Sequence, residues 1–137
     1  MKKYIENNYA GKQIACCRTA QEVVHDHMKG LDHEEVWIIH LTNANTVISA
    51  EMIAMGTLSQ TSIDCRTVLR AALLQNAAAI ILAHNHPSGL PLPGQSDIKF
   101  TGELRAACNL MNIKLLDHII LADDSFFSFA QEQTLKY

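Results

Sequence analysis

The sequence lacks the features that mark membrane and secreted proteins. Its longest uninterrupted apolar run, residues 77–83, is far shorter than the roughly 20 residues of a membrane-spanning helix. The N-terminus has no apolar core of the kind that a signal peptide carries. Proline is scarce as well, and its 3 copies all fall within residues 87–93. We therefore expect a soluble cytoplasmic protein with no membrane partner, and a proline- and glycine-rich loop over Pro87–Gly94.

Cysteine and positive charge are both too sparse to define a function. The 4 cysteines, at positions 16, 17, 65 and 108, include no C-x-x-C pair, and the adjacent pair is a poor framework for disulfides. We expect reduced thiols, with Cys65 and Cys108 in the core. The 11 Lys and Arg against 14 Asp and Glu give a net charge of −3. Because phosphate neutralisation needs basic surface, general nucleic-acid binding is not expected.

What the sequence does contain is typical of one globular domain. It has 137 residues, of which 48% are hydrophobic and 18% charged. The first residues are polar, so we assign 1–15 to a flexible N-terminal segment and 16–137 to the domain. A homo-oligomer is one expectation for its assembly.

The hydrophobic pattern predicts alternating helices and strands. Thr19–Glu22 has the capping-box pattern and Asp64 can cap a second helix. The predicted order is α-β-β-α-β-α-β-β, which indicates an α+β fold, an α/β sandwich with one mixed sheet flanked by helices. The predicted elements are helices at 20–29, 65–77 and 95–110 and strands at 36–41, 46–54, 78–83, 113–122 and 126–129.

One segment carries the chemistry. His84 and His86 follow a buried strand, and residues two apart in an extended backbone point to the same side. Asp97 falls in the first turn of the third helix and adds a carboxylate. Two imidazoles and one carboxylate leave a coordination position for water, which is typical of catalytic zinc sites, whereas structural sites have four protein ligands. The spacing therefore predicts a Zn²⁺ site.

Other histidines are weaker candidates. His25 and His27 have the same spacing, but they lie in a predicted helix, where residues two apart diverge and cannot chelate one ion. We interpret that pair as part of a solvated helix face. His33 and His40 have no partner that the sequence makes evident.

The segment resembles a known motif. H-x-H-P followed by an Asp eleven residues on resembles the JAMM motif of the JAB/MPN metallopeptidase family, and HNHPSG with a Pro-rich stretch resembles its bacterial RadC-like branch. The resemblance covers most of the chain. It includes Glu34, Met55–Leu58 (Met-Gly-Thr-Leu), Arg66, the stretch 76–80 (Asn-Ala-Ala-Ala-Ile), Thr101 and 115–118 (Leu-Leu-Asp-His).

This resemblance implies a JAB/MPN-like fold and a zinc-dependent hydrolase. Zinc would be held by His84, His86 and Asp97, and Glu34 would be the general base, with Glu35 as the rival. The implied reaction is cleavage of a peptide or isopeptide amide by a zinc-activated water, which makes a protein or peptide the expected substrate. Asp117 and His118 are candidate supporting residues, and at most one of them should face the site because strand residues alternate.

One departure from the motif leaves a second function open. The JAMM pattern has a Ser three residues before the Asp, and this chain has Gly94 there. Loss of an oxyanion donor can cost about 10²–10³ in rate. Ser88 and Ser96 are the candidate substitutes. The alternative is a non-catalytic, zinc-holding, protein-binding module associated with DNA repair or mobile elements. Metal-dependent phosphodiester cleavage is a third interpretation, and the acidic net charge disfavours it.

Overall fold

The computed structural model describes residues 4–56, 63–132 and 135, which form three helices and six strands. Their order confirms the predicted α+β class and adds one strand at the N-terminus. The elements are β1 Tyr4–Glu6, α1 Cys17–Met28, β2 Glu35–Leu41, β3 Val47–Met55, α2 Cys65–Leu74, β4 Ala79–Asn85, α3 Gln95–Leu110, β5 Lys114–Ala122 and β6 Ser125–Ser128.

The six strands form one mixed sheet in the order β1-β3-β2-β4-β5-β6. Among the strands that the structure describes, β4 and β5 are parallel and each other neighbouring pair is antiparallel. Strands β2 and β4 lie at the centre and are buried along their whole length. This explains their nearly continuous apolar sequence, because helices cover both faces of the sheet.

The two faces of the sheet carry separate hydrophobic clusters. On one face, Val36 and Ile38 of β2 pack with residues of α2 and α3, including Leu104. On the other face, Trp37 and Ile39 pack with α1. Side chains of β2 thus alternate between the α2/α3 face and the α1 face. This alternation decides which charged residue at the start of β2 can reach the candidate site.

The predicted boundaries are corrected at several helix and strand ends. Helix α1 begins at Cys17 with Cys16 as its N-cap, so the capping box predicted at Thr19–Glu22 is wrong: these residues lie inside the helix. Asp64 does cap α2, where its side chain accepts a 3.0 Å hydrogen bond from the Thr67 N–H. Helix α2 ends at Leu74, and β4 continues to Asn85.

Part of the N-terminal segment packs against the sheet. Residues 4–6 pair with β3, and Ile14 is buried in the cluster beneath α1. The flexibility of residues 1–15 stays a prediction. Strand β1 is not predicted from sequence, because a three-residue edge strand is too short to produce a period-two pattern.

The cysteines are free, and the two predicted core thiols pack in the α2/α3 cluster. Cys108 is buried, and burial raises its pKa to about 12, with a smaller contribution from nearby Cys65. Such a thiol is a poor nucleophile at neutral pH. Within the described ranges, no helix is both long and apolar enough to span a bilayer.

Candidate metal centre

The candidate centre lies where β4 ends and α3 begins. Strand β4 carries His84 at its end, and His86 follows one residue after the strand. The proline-containing loop then returns the chain to α3, whose first turn carries Asp97. The Gly94 N–H donates a 2.7 Å hydrogen bond to Asp97 Oδ2, which fixes the carboxylate.

The three predicted ligands converge. The Nε2 atoms of His84 and His86 lie 3.0 Å apart, and Asp97 Oδ1 lies 3.1 Å from His84 Nε2. Asp97 Oδ2 lies 3.4 Å from His86 Nε2. His84 and Asp97 are buried, whereas the His86 side chain keeps 17% of its surface exposed. The cluster is therefore mostly enclosed by protein, and solvent reaches it from the side of His86.

A hydrogen-bond chain fixes the tautomer of His84. The Thr101 hydroxyl donates to the Asp97 carbonyl at 2.7 Å, so its oxygen accepts the proton of His118 Nδ1 at 2.5 Å. His118 Nε2 must then accept, and it lies 2.8 Å from His84 Nδ1. His84 therefore carries its proton on Nδ1 and presents a lone pair at Nε2. Burial and the neighbouring His84 lower the pKa of His118 well below its usual value, which keeps that ring neutral.

His86, like His84, presents its Nε2 to the cluster, but its ring is oriented by a different partner. Its Nδ1 lies 3.0 Å from the Leu90 carbonyl, which can only accept, so Nδ1 donates and Nε2 carries the lone pair of the neutral ring. Without a cation, the Asp97 carboxylate raises the pKa of His86 in spite of burial. Burial tends to raise the pKa of Asp97, but its contacts with His84 and His86 hold that pKa well below its usual range.

This donor set fits a divalent metal ion. Two neutral imidazole Nε2 atoms and a carboxylate face one another, and no proton donor lies among the three when both rings are neutral. Metal–ligand bonds of about 2.0–2.2 Å at tetrahedral angles place neighbouring ligand atoms about 3.3–3.6 Å apart, close to the observed separations. His84, His86 and Asp97 can therefore hold a metal ion.

The strand register separates Glu34 from Glu35. Val36 pairs with His84, so Glu34 lies two residues beyond this pair, at the level of His86 and on the α2/α3 face by alternation. The charge of Glu34 reaches His86 and contributes to its raised pKa. Glu35 lies on the α1 face, where its carboxylate accepts from Trp37 Nε1 at 3.0 Å. Of the two carboxylates, Glu34 is thus the one on the sheet face that carries His84.

The candidate supporting residues Asp117 and His118 face opposite sides of the sheet, as strand alternation predicts. His118 contacts His84, whereas Asp117 faces away and accepts a 2.7 Å hydrogen bond from the Ser128 hydroxyl. Ser88 and Ser96 are exposed, and their role as substitutes for the motif serine stays a prediction. Of the resemblance-bearing stretch Met55–Leu58, residues 57 and 58 lie outside the described residues.

The remaining histidines form other contacts. His27 stacks on Trp37 at a centroid distance of 4.6 Å and lies 3.4 Å from the Glu6 carboxylate, so the predicted solvated helix face is wrong at this position. His25 and His27 do not contribute to a metal-sized cluster among the described residues. His40 pairs with Glu51 at 2.9 Å in the core, a partner that no sequence spacing indicates.

Two residues at the centre were not assigned a role from sequence. The resemblance includes Thr101 without implying a role for it, and Asn85 is the residue between the two histidines of the motif. Asn85 bridges β4 to the start of β2, where its side chain contacts the main chain of His33 and Glu35. Both roles depend on which strands become neighbours, and the position of Asn85 between two ligands was the one available signal.

Comparison with known proteins agrees with the geometry. Residues 14–135 match the RadC-like JAB domain. A UPF0758 protein of Coxiella burnetii is 36% identical over 135 residues, which covers 98% of this chain and 60% of that protein. UPF0758 protein YeeS of Escherichia coli is 38% identical over 125 residues, covering 91% of this chain and 84% of that protein.

Further relatives are similar over a smaller part of their length. A UPF0758 protein of Enterococcus faecalis is 39% identical over 122 residues, covering 89% of this chain and 52% of the relative. The chain thus spans between about half and three-fifths of most of these relatives. The match to the domain, together with the convergent His-His-Asp cluster, shows that this chain belongs to the RadC-like JAB domain family.

Proposed function

We propose that this chain is a zinc-dependent hydrolase that cleaves a peptide or isopeptide amide. The observation that carries the proposal is the convergence of two imidazole Nε2 atoms and the Asp97 carboxylate within 3.0–3.4 Å. Three protein ligands are the set that catalytic zinc sites use, because the fourth position is left for water. A zinc ion held there would act as a Lewis acid and bring the pKa of a water molecule to about 7.

The residues of the chain supply the other parts of the reaction. Glu34 accepts a proton from the attacking water and returns it to the leaving amine, a role supported by its position beside His86. His118 and Thr101 keep His84 in the tautomer that presents Nε2. The partial exposure of His86 gives an amide bond access to the centre.

A second function is favoured by one observation at Gly94. The JAMM pattern that the chain resembles has a serine there, and the Gly94 N–H already donates to Asp97 Oδ2. The centre therefore lacks the hydroxyl donor at this position, and the N–H does not replace it. A chain that holds metal and binds a protein partner without turnover is the alternative that follows.

The test compares Glu34→Gln with Glu35→Gln in the zinc-loaded protein. The probes are an internally quenched peptide library and peptides linked through a lysine ε-amide. We expect cleavage by the wild type, a loss of about 10²–10⁴ in kcat for Glu34→Gln with zinc still bound, and retained activity for Glu35→Gln. Zinc binding without cleavage of either probe would replace the hydrolase proposal with the binding module.

A further inference from the structure

The side chain of Asn85 connects the metal-binding segment to the start of β2. Its Oδ1 accepts a hydrogen bond from the Glu35 N–H at 2.7 Å. Its Nδ2 donates to the His33 carbonyl at 2.8 Å. Asn85 is buried, with 4% of its surface exposed. Its hydrogen bond with the Glu35 N–H is buried as well, whereas the one to the His33 carbonyl is half-buried. One side chain thus contacts the peptide groups on both sides of Glu34.

These contacts lie where main-chain pairing ends. Val36 and His84 are the last residue pair of the β2–β4 ladder at this end of the sheet. The amide of Asn85 continues the ladder for one more step, because it offers a donor and an acceptor as a peptide unit does. On the opposite side, the Gly56 N–H donates to the Glu34 carbonyl at 2.7 Å. The main chain around Glu34 is therefore held from both neighbouring strands.

We propose that Asn85 is a positioning residue for Glu34, which it holds in register with the two histidines that flank Asn85 in sequence. This inference rests on the proposed hydrolase function, in which Glu34 acts on the water at the metal. Asn is required because aspartate has no donor for the His33 carbonyl and leucine has neither a donor nor an acceptor. A displacement of about 1 Å at a catalytic group can cost about 10²-fold in rate.

The first test measures the hydrogen bond without relying on activity. Amide hydrogen exchange at Glu35 is compared in wild type, Asn85→Leu and the control Ser49→Ala, with and without zinc. Ser49 is a suitable control because it is also buried and its hydroxyl donates to Gln75 Oε1 at 2.9 Å, remote from the β4 end. We expect exchange at Glu35 to accelerate about tenfold or more in Asn85→Leu only. Unchanged exchange would overturn the proposal.

The second test is a double-mutant cycle with Glu34→Gln on the internally quenched peptide library. We expect Asn85→Leu to lower kcat about 10- to 100-fold, with KM within about twofold and zinc content unchanged. In the Glu34→Gln background, Asn85→Leu should cause no further loss. Equal losses in both backgrounds would show a general structural effect and overturn the positioning role. Asn85→Ser, which is smaller and cannot span both partners, serves if the leucine variant does not fold.

The two proposals fail in different ways. If the wild type loads zinc but cleaves no probe, the hydrolase function is overturned and the catalytic consequence of Asn85 goes with it. The exchange measurement then still decides whether Asn85 holds the start of β2. If the wild type is active and Glu34→Gln is not, unchanged kcat in Asn85→Leu overturns the role of Asn85 alone.

Discussion

His84 Nδ1 lies 2.8 Å from His118 Nε2, and this contact determines which nitrogen of His84 faces Asp97. The His118 ring is itself fixed by the Thr101 hydroxyl, which donates onward to the Asp97 carbonyl. The chain of hydrogen bonds therefore leaves one ligand-bearing element, β4, passes through β5 and returns to the other, α3. The two elements that carry the cluster are tied together by groups that do not belong to it. Such outer partners typically orient metal ligands and tune their basicity.

Replacement of Thr101 by valine tests this chain of hydrogen bonds. Thr101→Val keeps the shape of the side chain but leaves the buried Nδ1–H of His118 without its acceptor. We expect a loss of about 1–3 kcal/mol in the free energy of unfolding and a 10- to 100-fold weaker zinc affinity, about the effect of other outer-partner changes. Chemical denaturation and zinc titration measure the two effects.

The control for this variant is Thr46→Val. Thr46 also pairs through its hydroxyl, with Thr42 at 2.7 Å, but in the turn between β2 and β3. Its replacement should leave zinc affinity unchanged. Equal zinc affinity in the Thr101 and Thr46 variants would contradict the role given to the hydrogen-bond chain.

Metal analysis tests the cluster itself. We expect the purified wild type to hold about one zinc ion per chain and His86→Ala and Asp97→Asn to hold none, because three protein ligands are needed for a catalytic-type site. A chelator should lower the thermal midpoint of the wild type, since a ligand at about 100 times its Kd stabilises the folded state by about 2.7 kcal/mol.

His25→Ala is the matched control for the metal measurement. It removes a histidine from the other H-x-H pair, which contributes to no metal-sized cluster in the part of the chain that the structure describes. Its zinc content and its response to the chelator should equal those of the wild type. Equal metal content in the wild type and all three variants would contradict the assignment of the metal site to His84, His86 and Asp97.

The convergence of His84, His86 and Asp97 could be predicted from sequence because its geometry is local. His84 and His86 needed only the alternation of an extended backbone, and Asp97 needed only the first turn of a helix. Which of Glu34 and Glu35 shares a sheet face with His84 depends on the register of β2 against β4, which one sequence does not specify. Strand alternation predicts that Glu34 and Glu35 face opposite sides of the sheet. The pairing of Val36 with His84 identifies which side carries each of them.

Contacts made across the fold were the ones that sequence analysis missed. The stacking of His27 on Trp37 depends on where α1 crosses the sheet, and its helical spacing alone indicated a solvated position. Thr101 and His118 meet because α3 packs on β5. Neither the separation of two residues along the chain nor their types indicates that they form such a pair. A buried histidine is also more often a core residue than part of a site.

Helix α3 offers a direct test of the packing that holds the centre. Leu104 is fully buried in the α2/α3 cluster, whereas Leu110 on the same helix is 86% exposed. We expect Leu104→Ala to cost about 2–5 kcal/mol in the free energy of unfolding, because it leaves a cavity in the core. Leu110→Ala should change it by less than about 0.5 kcal/mol. Denaturant titration followed by circular dichroism measures both, and similar losses would contradict the packing described for α3.

Restoring the motif serine separates an impaired enzyme from a binding module. A Cβ at Gly94 would lie 3.6 Å from Asp97 Oδ2, an ordinary contact, and the Gly94 backbone has φ −83°, which any residue can adopt. Gly94→Ser should therefore fold and gain a few tenths of a kcal/mol as a helix N-cap. If catalysis is limited by the missing hydroxyl donor, kcat on the peptide probes should rise about 10²–10³-fold.

The control is Gly102→Ser, which makes the same substitution on the same helix, where a Cβ meets nothing within 4 Å. This variant should keep the activity of the wild type, because position 102 lies more than one helical turn beyond Asp97. A gain in both variants would indicate a stability effect and not an oxyanion donor. No cleavage by wild type or by Gly94→Ser, with zinc bound in each, would favour the binding module. Full activity in the wild type, unchanged in Gly94→Ser, would instead show that this centre works without the serine.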